Sequence, residues 1–175
     1  MNRILTSKNM LNYPLSGLEM MKLNPKAKLI TYDELNKVFD IKELFKDADQ
    51  IIILYLLHSN DSGHWVTLFL NNDGVNFFDS YGKDADYWIN RLSPYKLQQY
   101  REKRNRLNHL LKNYLVIYNN VDLQAPNTDT CGMFVSHRLN NDKMDEETFI
   151  NTYFLNKNKS PDVIVAEYCL NKLKQ

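Results

Sequence analysis

Seven consecutive apolar residues, Ile51 to Leu57, are followed by two further runs, His64 to Leu70 and Val75 to Asp79, with only short polar breaks between them. The first run is rich in β-branched residues and too short for a core helix, so it reads as a central strand buried on both faces. Asn60-Asp61-Ser62-Gly63 reads as a loop and Asn71 to Gly74 as a turn. Connections this short join antiparallel neighbours, because parallel strands need a crossover of about a dozen residues or more. A membrane-spanning helix needs about 20 apolar residues, so this longest apolar run is far too short to be one.

Helical patterns flank the strands. Ser16-Gly17-Leu18-Glu19 has capping-box spacing, and Thr31-Tyr32-Asp33-Glu34 repeats it ahead of Leu35, Val38 and Phe39, which recur at helical spacing. Lys26 to Ile30 between them is a short strand or a loop. Residues 84–113 read as helices broken near Ser93-Pro94, Tyr114 to Tyr118 as a further strand, and Asn119 to Thr130 as a long loop. Cys131 to Leu139 reads as a helix, and a final one runs from about Asp162, just after Pro161, to Lys172. The expected class is α+β, with a small central, mostly antiparallel sheet flanked by helices. At 175 residues the chain suits one domain, residues 1–175. It divides into a helical N-terminal part (about 1–49), a core (about 50–140) with a helical insertion (about 83–113), and a helical C-terminal part (about 141–175). A net charge of +1 gives no global pull toward nucleic acid or membrane. Two cysteines are too few for a disulfide scaffold, so a reducing compartment is expected. Polar residues directly after Leu5 leave no signal-peptide pattern.

A thiol nucleophile needs a base, a group that orients the base, and donors for the oxyanion. It also gains from the positive end of a helix. Cys131 fits the last demand, with Thr128, Asp129 and Thr130 before it as capping side chains and Met133, Phe134, Val135 and Leu139 after it as an apolar face. Gly132 beside it leaves room for a substrate backbone to approach. A lone cysteine is more often a small buried hydrophobe; the surrounding residues decide. His64 lies at the mouth of a strand, and Asp79 closes the neighbouring strand, which runs back toward the same sheet end. A carboxylate there is costly to bury without a partner, which favours a bond between Asp79 and the imidazole. His58, His109 and His137 read as surface or core residues; His137 lies six residues past Cys131 on the same helix and points away. Gln124, seven residues before Cys131, carries an amide that suits an oxyanion.

These residues amount to a resemblance. Gly63-His64-Trp65, Phe78-Asp79-Ser80-Tyr81-Gly82 and Gln124-Ala125-Pro126-Asn127-Thr128-Asp129-Thr130-Cys131-Gly132 resemble the three hallmark segments of the adenain-like and SUMO-specific cysteine proteases. The spacing from Gln124 to Cys131-Gly132 is similar to the viral branch; the cellular branch has Asp where Thr130 stands. With the Asn- and Lys-rich composition, the chain resembles a protease of a virophage or related large DNA virus. The resemblance implies a papain-like core of the adenain type and a cysteine endopeptidase of virion maturation. It implies His64 as general base, Asp79 as its orienter, Cys131 as nucleophile and Gln124, with the Cys131 backbone N–H, as oxyanion donors. Trp65 would wall a narrow channel, so that capsid or core proteins are cut after Gly, in Gly-Gly or Gly-x-Gly sites. The implied partners are those viral substrates. No cofactor and no metal are expected, and the protein is expected to be a monomer in the virion and host cytoplasm.

Some readings stay open. Trp65 follows His64 on a strand and so points to the opposite face unless Gly63-His64-Trp65 are the strand's first residues; a core Trp is the plain alternative. Residues 83–113 carry eight Lys/Arg and three acids, a net +5, densest from Arg101 to Arg106. DNA contact through 101–106 is set against a solvated helix face, which the lack of interleaved aromatics favours. Cys169 reads as packing in the last helix, though available for a mixed disulfide with an activating peptide. A deconjugase acting on ubiquitin-like tails, a Cys-dependent acetyltransferase and an inactive binding module are the rival functions.

Overall fold

The computed structural model describes residues 6–59 and 62–175. Its centre is a five-stranded sheet in the order β1 (Lys28–Thr31), β2 (Gln50–Ser59), β3 (Ser62–Asn71), β4 (Gly74–Phe78), β5 (Val116–Tyr118). The β2–β3 and β3–β4 pairs are antiparallel, as their short connections require, while the edge strands β1 and β5 join in parallel. The sheet is therefore mixed rather than mostly antiparallel. Both edge strands return through helical crossovers, which is what makes them parallel. Residues Ile51 to Leu56 are buried on both faces, as the unbroken apolar run demands, but β3 is the central strand.

The register Tyr55↔His64 and Leu54↔Trp65 assigns the two sheet faces. On the His64 side, Tyr55 meets the edge of Tyr32 at 5.1 Å between ring centres, and its hydroxyl donates to the Ala85 carbonyl. The layer there combines the 3-10 helix Tyr32–Lys37 with the insertion, which contains α3 (Pro94–Tyr100) and α4 (Arg106–Leu111). On the Trp65 side lie α5 (Cys131–Leu139) and α6 (Glu146–Tyr153); Phe69 packs under the Arg138 guanidinium and Phe78 against Phe149. Two N-terminal helices, α1 (Ser7–Met10) and α2 (Gly17–Leu23), and the last helix, α7 (Pro161–Leu173), complete that layer.

The capping box at Ser16 forms, with Glu19 reaching back to the Ser16 N–H at 2.8 Å. The second pattern caps a 3-10 helix instead of an α-helix, and Phe39 is 89% exposed just beyond it. Val38 is already extended, and Asp40 caps a second 3-10 helix, Ile41–Lys46, so the apolar spacing is cut before a longer helix can form. The N-terminal part is accordingly not wholly helical, since it also contributes β1. The expected loop at 60–63 is partly strand: Ser62 and Gly63 belong to β3, and residues 60–61 lie outside the described residues. The residues read for a signal peptide, 1–5, lie outside them too.

Candidate active site

β4 stops at Phe78, opposite Thr67, so β3 continues past it with β2 on one side only. Gly63, His64 and Trp65 in this stretch border a cleft of about 780 Å³. His64 and Trp65 leave β3 on opposite faces yet both line this cleft, together with Tyr81, Trp88, Gln124 and Cys131. The condition set by alternation, that His64 and Trp65 begin the strand, is not met; His64 is its third residue. The early end of β4 opens the space instead. Gly63 is required where it stands, because a Cβ there would meet the Tyr55 carbonyl oxygen at 1.6 Å. The β2–β3 register shifts between Leu56 and Ser59, beside that close approach.

Asp79, the first residue beyond β4, is fully buried. Its Oδ1 accepts from His64 Nε2 at 3.0 Å and from the Tyr81 N–H at 2.8 Å, and its Oδ2 accepts from the Trp88 indole N–H at 2.7 Å. The Asn119 side chain grips the Asp79 backbone at both ends, accepting from its N–H at 2.9 Å and donating to its carbonyl at 2.6 Å. Burial by itself pulls the His64 imidazole down, but the charge and hydrogen bond of Asp79, helped by the nearby Cys131 sulfur, raise its pKa to about 10. The ring is thus an imidazolium at neutral pH.

Cys131 is the first residue of α5 and half-buried at the cleft floor. Its backbone N–H, at the first helical position, has no acceptor within the helix. Gln124 is oriented by two contacts: Oε1 accepts from the Ser80 hydroxyl at 2.6 Å and Nε2 donates to the Thr128 carbonyl at 2.8 Å. One N–H of its amide is left over. Burial, and then the charge of Cys131, pushes the Tyr81 phenol up to about 12, so its hydroxyl stays protonated.

Two expectations need correction. Gly132 does not face the cleft: a Cβ there would meet Met20 Sδ at 2.8 Å, Trp65 Cδ1 at 3.0 Å and Leu15 Cβ at 3.3 Å. The missing side chain lets α5 close on the N-terminal segment and on Trp65, a packing requirement rather than a substrate path. Cys169 is fully buried, and burial pushes its thiol up to about 12, so it is not available for a mixed disulfide. Trp65 is itself 6% exposed, with its indole N–H donating to the Leu15 carbonyl at 3.1 Å, so it serves the core as well as the cleft wall.

The structure brings His64, Asp79, Gln124, Cys131 and Trp65 to one cleft. It adds Trp88, Asn119 and Ser80, which sequence reasoning passed over. Ser80 lay inside a quoted segment; Trp88 and Asn119 carry no local signal, since each acts across a turn or between strands. Pro14, Leu15 and Ser16 form the opposite wall, tied down where the Asp129 N–H donates to the Leu11 carbonyl at 2.7 Å. In the basic stretch, Arg104 donates to the Leu92 carbonyl at 2.7 Å and Arg106 to those of Leu35 and Val38. Among the described residues no cluster suits a metal ion, and no helix is long and apolar enough to cross a membrane.

No protein-family model matches the chain, and no curated protein matches it. Among solved structures, the central domain of the uncharacterized Lpg1148 protein from Legionella pneumophila is similar at 17% identity with a TM-score of 0.45, over 93% of this chain and 99% of that one.

Proposed function

We propose that the chain is a cysteine endopeptidase with a papain-like core of the adenain type. The observation that carries this is the half-buried Cys131 at a helix start, sharing a cleft with an imidazole that is 3.0 Å from a buried carboxylate. In this reading the Cys131 sulfur attacks the scissile carbonyl carbon, and the carbonyl π-electrons move to oxygen. The free N–H of Gln124 and the backbone N–H of Cys131 receive that oxyanion. As the intermediate collapses, the C–N bond breaks and His64 gives its proton to the departing amine. Water, its proton taken by His64, then attacks the acyl carbon; the C–S bond breaks with its electron pair returning to the Cys131 sulfur, the acid leaves, and His64 is again protonated. Asp79 holds the ring in register throughout, and Trp88 fixes the carboxylate that does so.

The resemblance supplies the substrate class: viral capsid or core proteins, cut after Gly during virion maturation, in virion and host cytoplasm. Trp65, held to the Leu15 carbonyl at 3.1 Å, walls the cleft, and that supports a narrow channel. The alternative is a deconjugase for ubiquitin-like tails, which the same channel admits. Arg106 spends its guanidinium on the Leu35 and Val38 carbonyls, which favours a structural role for that residue, while Arg101, Lys103 and Arg104 stay exposed. Incubation with Gly-rich peptides from virion proteins, read by mass spectrometry, tests the proposal. Cuts should follow Gly, and replacing that Gly by Ala should slow them about tenfold, the effect of ~1.4 kcal/mol. Cleavage after large residues sinks the channel; no cleavage by the wild type, or equal cleavage by Cys131→Ala, sinks the peptidase.

A further inference from the structure

Asp162 stands in the first turn of α7, far along the chain from the cleft, and is 3% exposed. It does not cap its own helix; Ser160 does, accepting from the Val163 N–H. Its Oδ2 accepts instead from the Ala125 N–H at 3.0 Å, and its Oδ1 from the hydroxyls of Thr128 at 2.7 Å and Thr130 at 2.5 Å. All three donors lie between Gln124 and Cys131. No cation pairs with this carboxylate among the described residues, so the three donors are what offset the cost of its burial. Thr128 in turn presents the carbonyl that holds the Gln124 amide. A buried carboxylate spent wholly on one loop fixes that loop's shape.

We propose that Asp162 is a positioning residue for the oxyanion donors, clamping the loop so that the Gln124 amide and the Cys131 backbone N–H point at one spot. This rests on the peptidase reading and adds the group that regulates its oxyanion geometry. Loosening the clamp costs transition-state stabilisation and leaves substrate binding and thiol reactivity in place.

Asp162→Asn is the sharp test. The new side chain keeps an oxygen for the two hydroxyls but sets an NH₂ against the Ala125 N–H. The expected result is a kcat lowered about tenfold or more with KM changed less than about twofold. Alkylation of Cys131 by iodoacetamide, which builds no oxyanion, should keep its wild-type rate. In a Gln124→Ala background the same substitution should cost less, because one of the two donors being positioned is gone. An unchanged kcat, equal losses in both backgrounds, or alkylation falling in step with kcat each overturns the proposal. Thr128→Val, which removes one strut and keeps the carboxylate, should show the same pattern if Asp162→Asn fails to fold. Wild-type activity against that of Cys131→Ala judges the peptidase separately. Were the wild type inactive, amide exchange still reads the clamp: faster exchange confined to residues 124–130 in the variant supports it, and unchanged exchange overturns it.

Discussion

Two buried histidines, His64 in the cleft at the start of α5 and His137 in the last turn of α5, behave in opposite ways. In the cleft, His64 is 5% exposed and its pKa is raised to about 10. In the aromatic box formed by Phe149, Tyr153, Phe154 and Tyr168, His137 is 2% exposed and its pKa falls to about 4, through burial and then the charge of Lys172. Burial is nearly equal, so burial does not decide the charge. His64 faces Asp79, whereas His137 Nδ1 has no hydrogen-bond partner among the described residues. The cysteines diverge likewise: Cys131 opens to the cleft, while Cys169, beside Tyr168, is sealed against the Met133 carbonyl. A carboxylate and an opening separate a charged, accessible site from a packed one built of the same residue types.

The largest effect should be the difference between the two thiols. Iodoacetamide should inactivate in step with labelling of Cys131, and Cys169→Ala should retain most activity while Cys131→Ala retains none. Inactivation that tracks Cys169 would erase the distinction.

Next, His64→Ala should remove nearly all activity, and Asp79→Asn should remove less, because the base survives with poorer orientation. The pH profile sharpens this. An imidazolium that persists to about 10 puts the alkaline fall of kcat/KM near that value, since His64 must carry the proton it delivers. Asp79→Asn removes the raising charge, so that fall should move to lower pH. An unmoved alkaline limb would mean that the carboxylate does not set the difference between the two histidines.

The smallest effect concerns stability. The native state holds the His64 proton more tightly than the unfolded chain, so this contribution is full below about 6.5 and is lost as pH rises through about 10. For His137 the native state binds fewer protons than the unfolded chain between about 6.5 and about 4, so stability falls as pH drops through that window. One such group changes stability by at most about 1.4 kcal/mol per pH unit. Urea unfolding of His137→Phe at pH 7 and pH 5 should show a flatter acid loss than the wild type. An identical slope would place the acid sensitivity elsewhere.

The legible parts of this protein were the ones whose cause lies within a few residues. The apolar run of β2, the returns into β3 and β4, the cap at Ser16 and the helix starting at Cys131 all follow from neighbours along the chain. The pairing of His64 with Asp79 was legible because a short turn fixes which strand ends meet. Helix α6 was not delimited within the expected helical C-terminal part, because its apolar face is short, Phe149, Ile150 and Tyr153 amid polar residues. The parallel placement of β1 and β5 went unread because each contributes a strand of only a few residues to a distant partner.

The sequence alone determined most of the elements, the order of the site residues and the identity of the thiol that heads a helix, because caps, turns and periodicity act over about one turn of chain. Tertiary structure decided the rest. Gly132 turned from a substrate path into a packing contact because α5 docks with that face against Leu15, Met20 and Trp65. Asp162 became part of the site because α7 brings its first turn under the loop before Cys131. Which buried imidazole holds a proton was settled by whether a carboxylate was packed beside it. Contacts between residues far apart in the chain arise only when whole elements bury their faces together, and no local pattern records them.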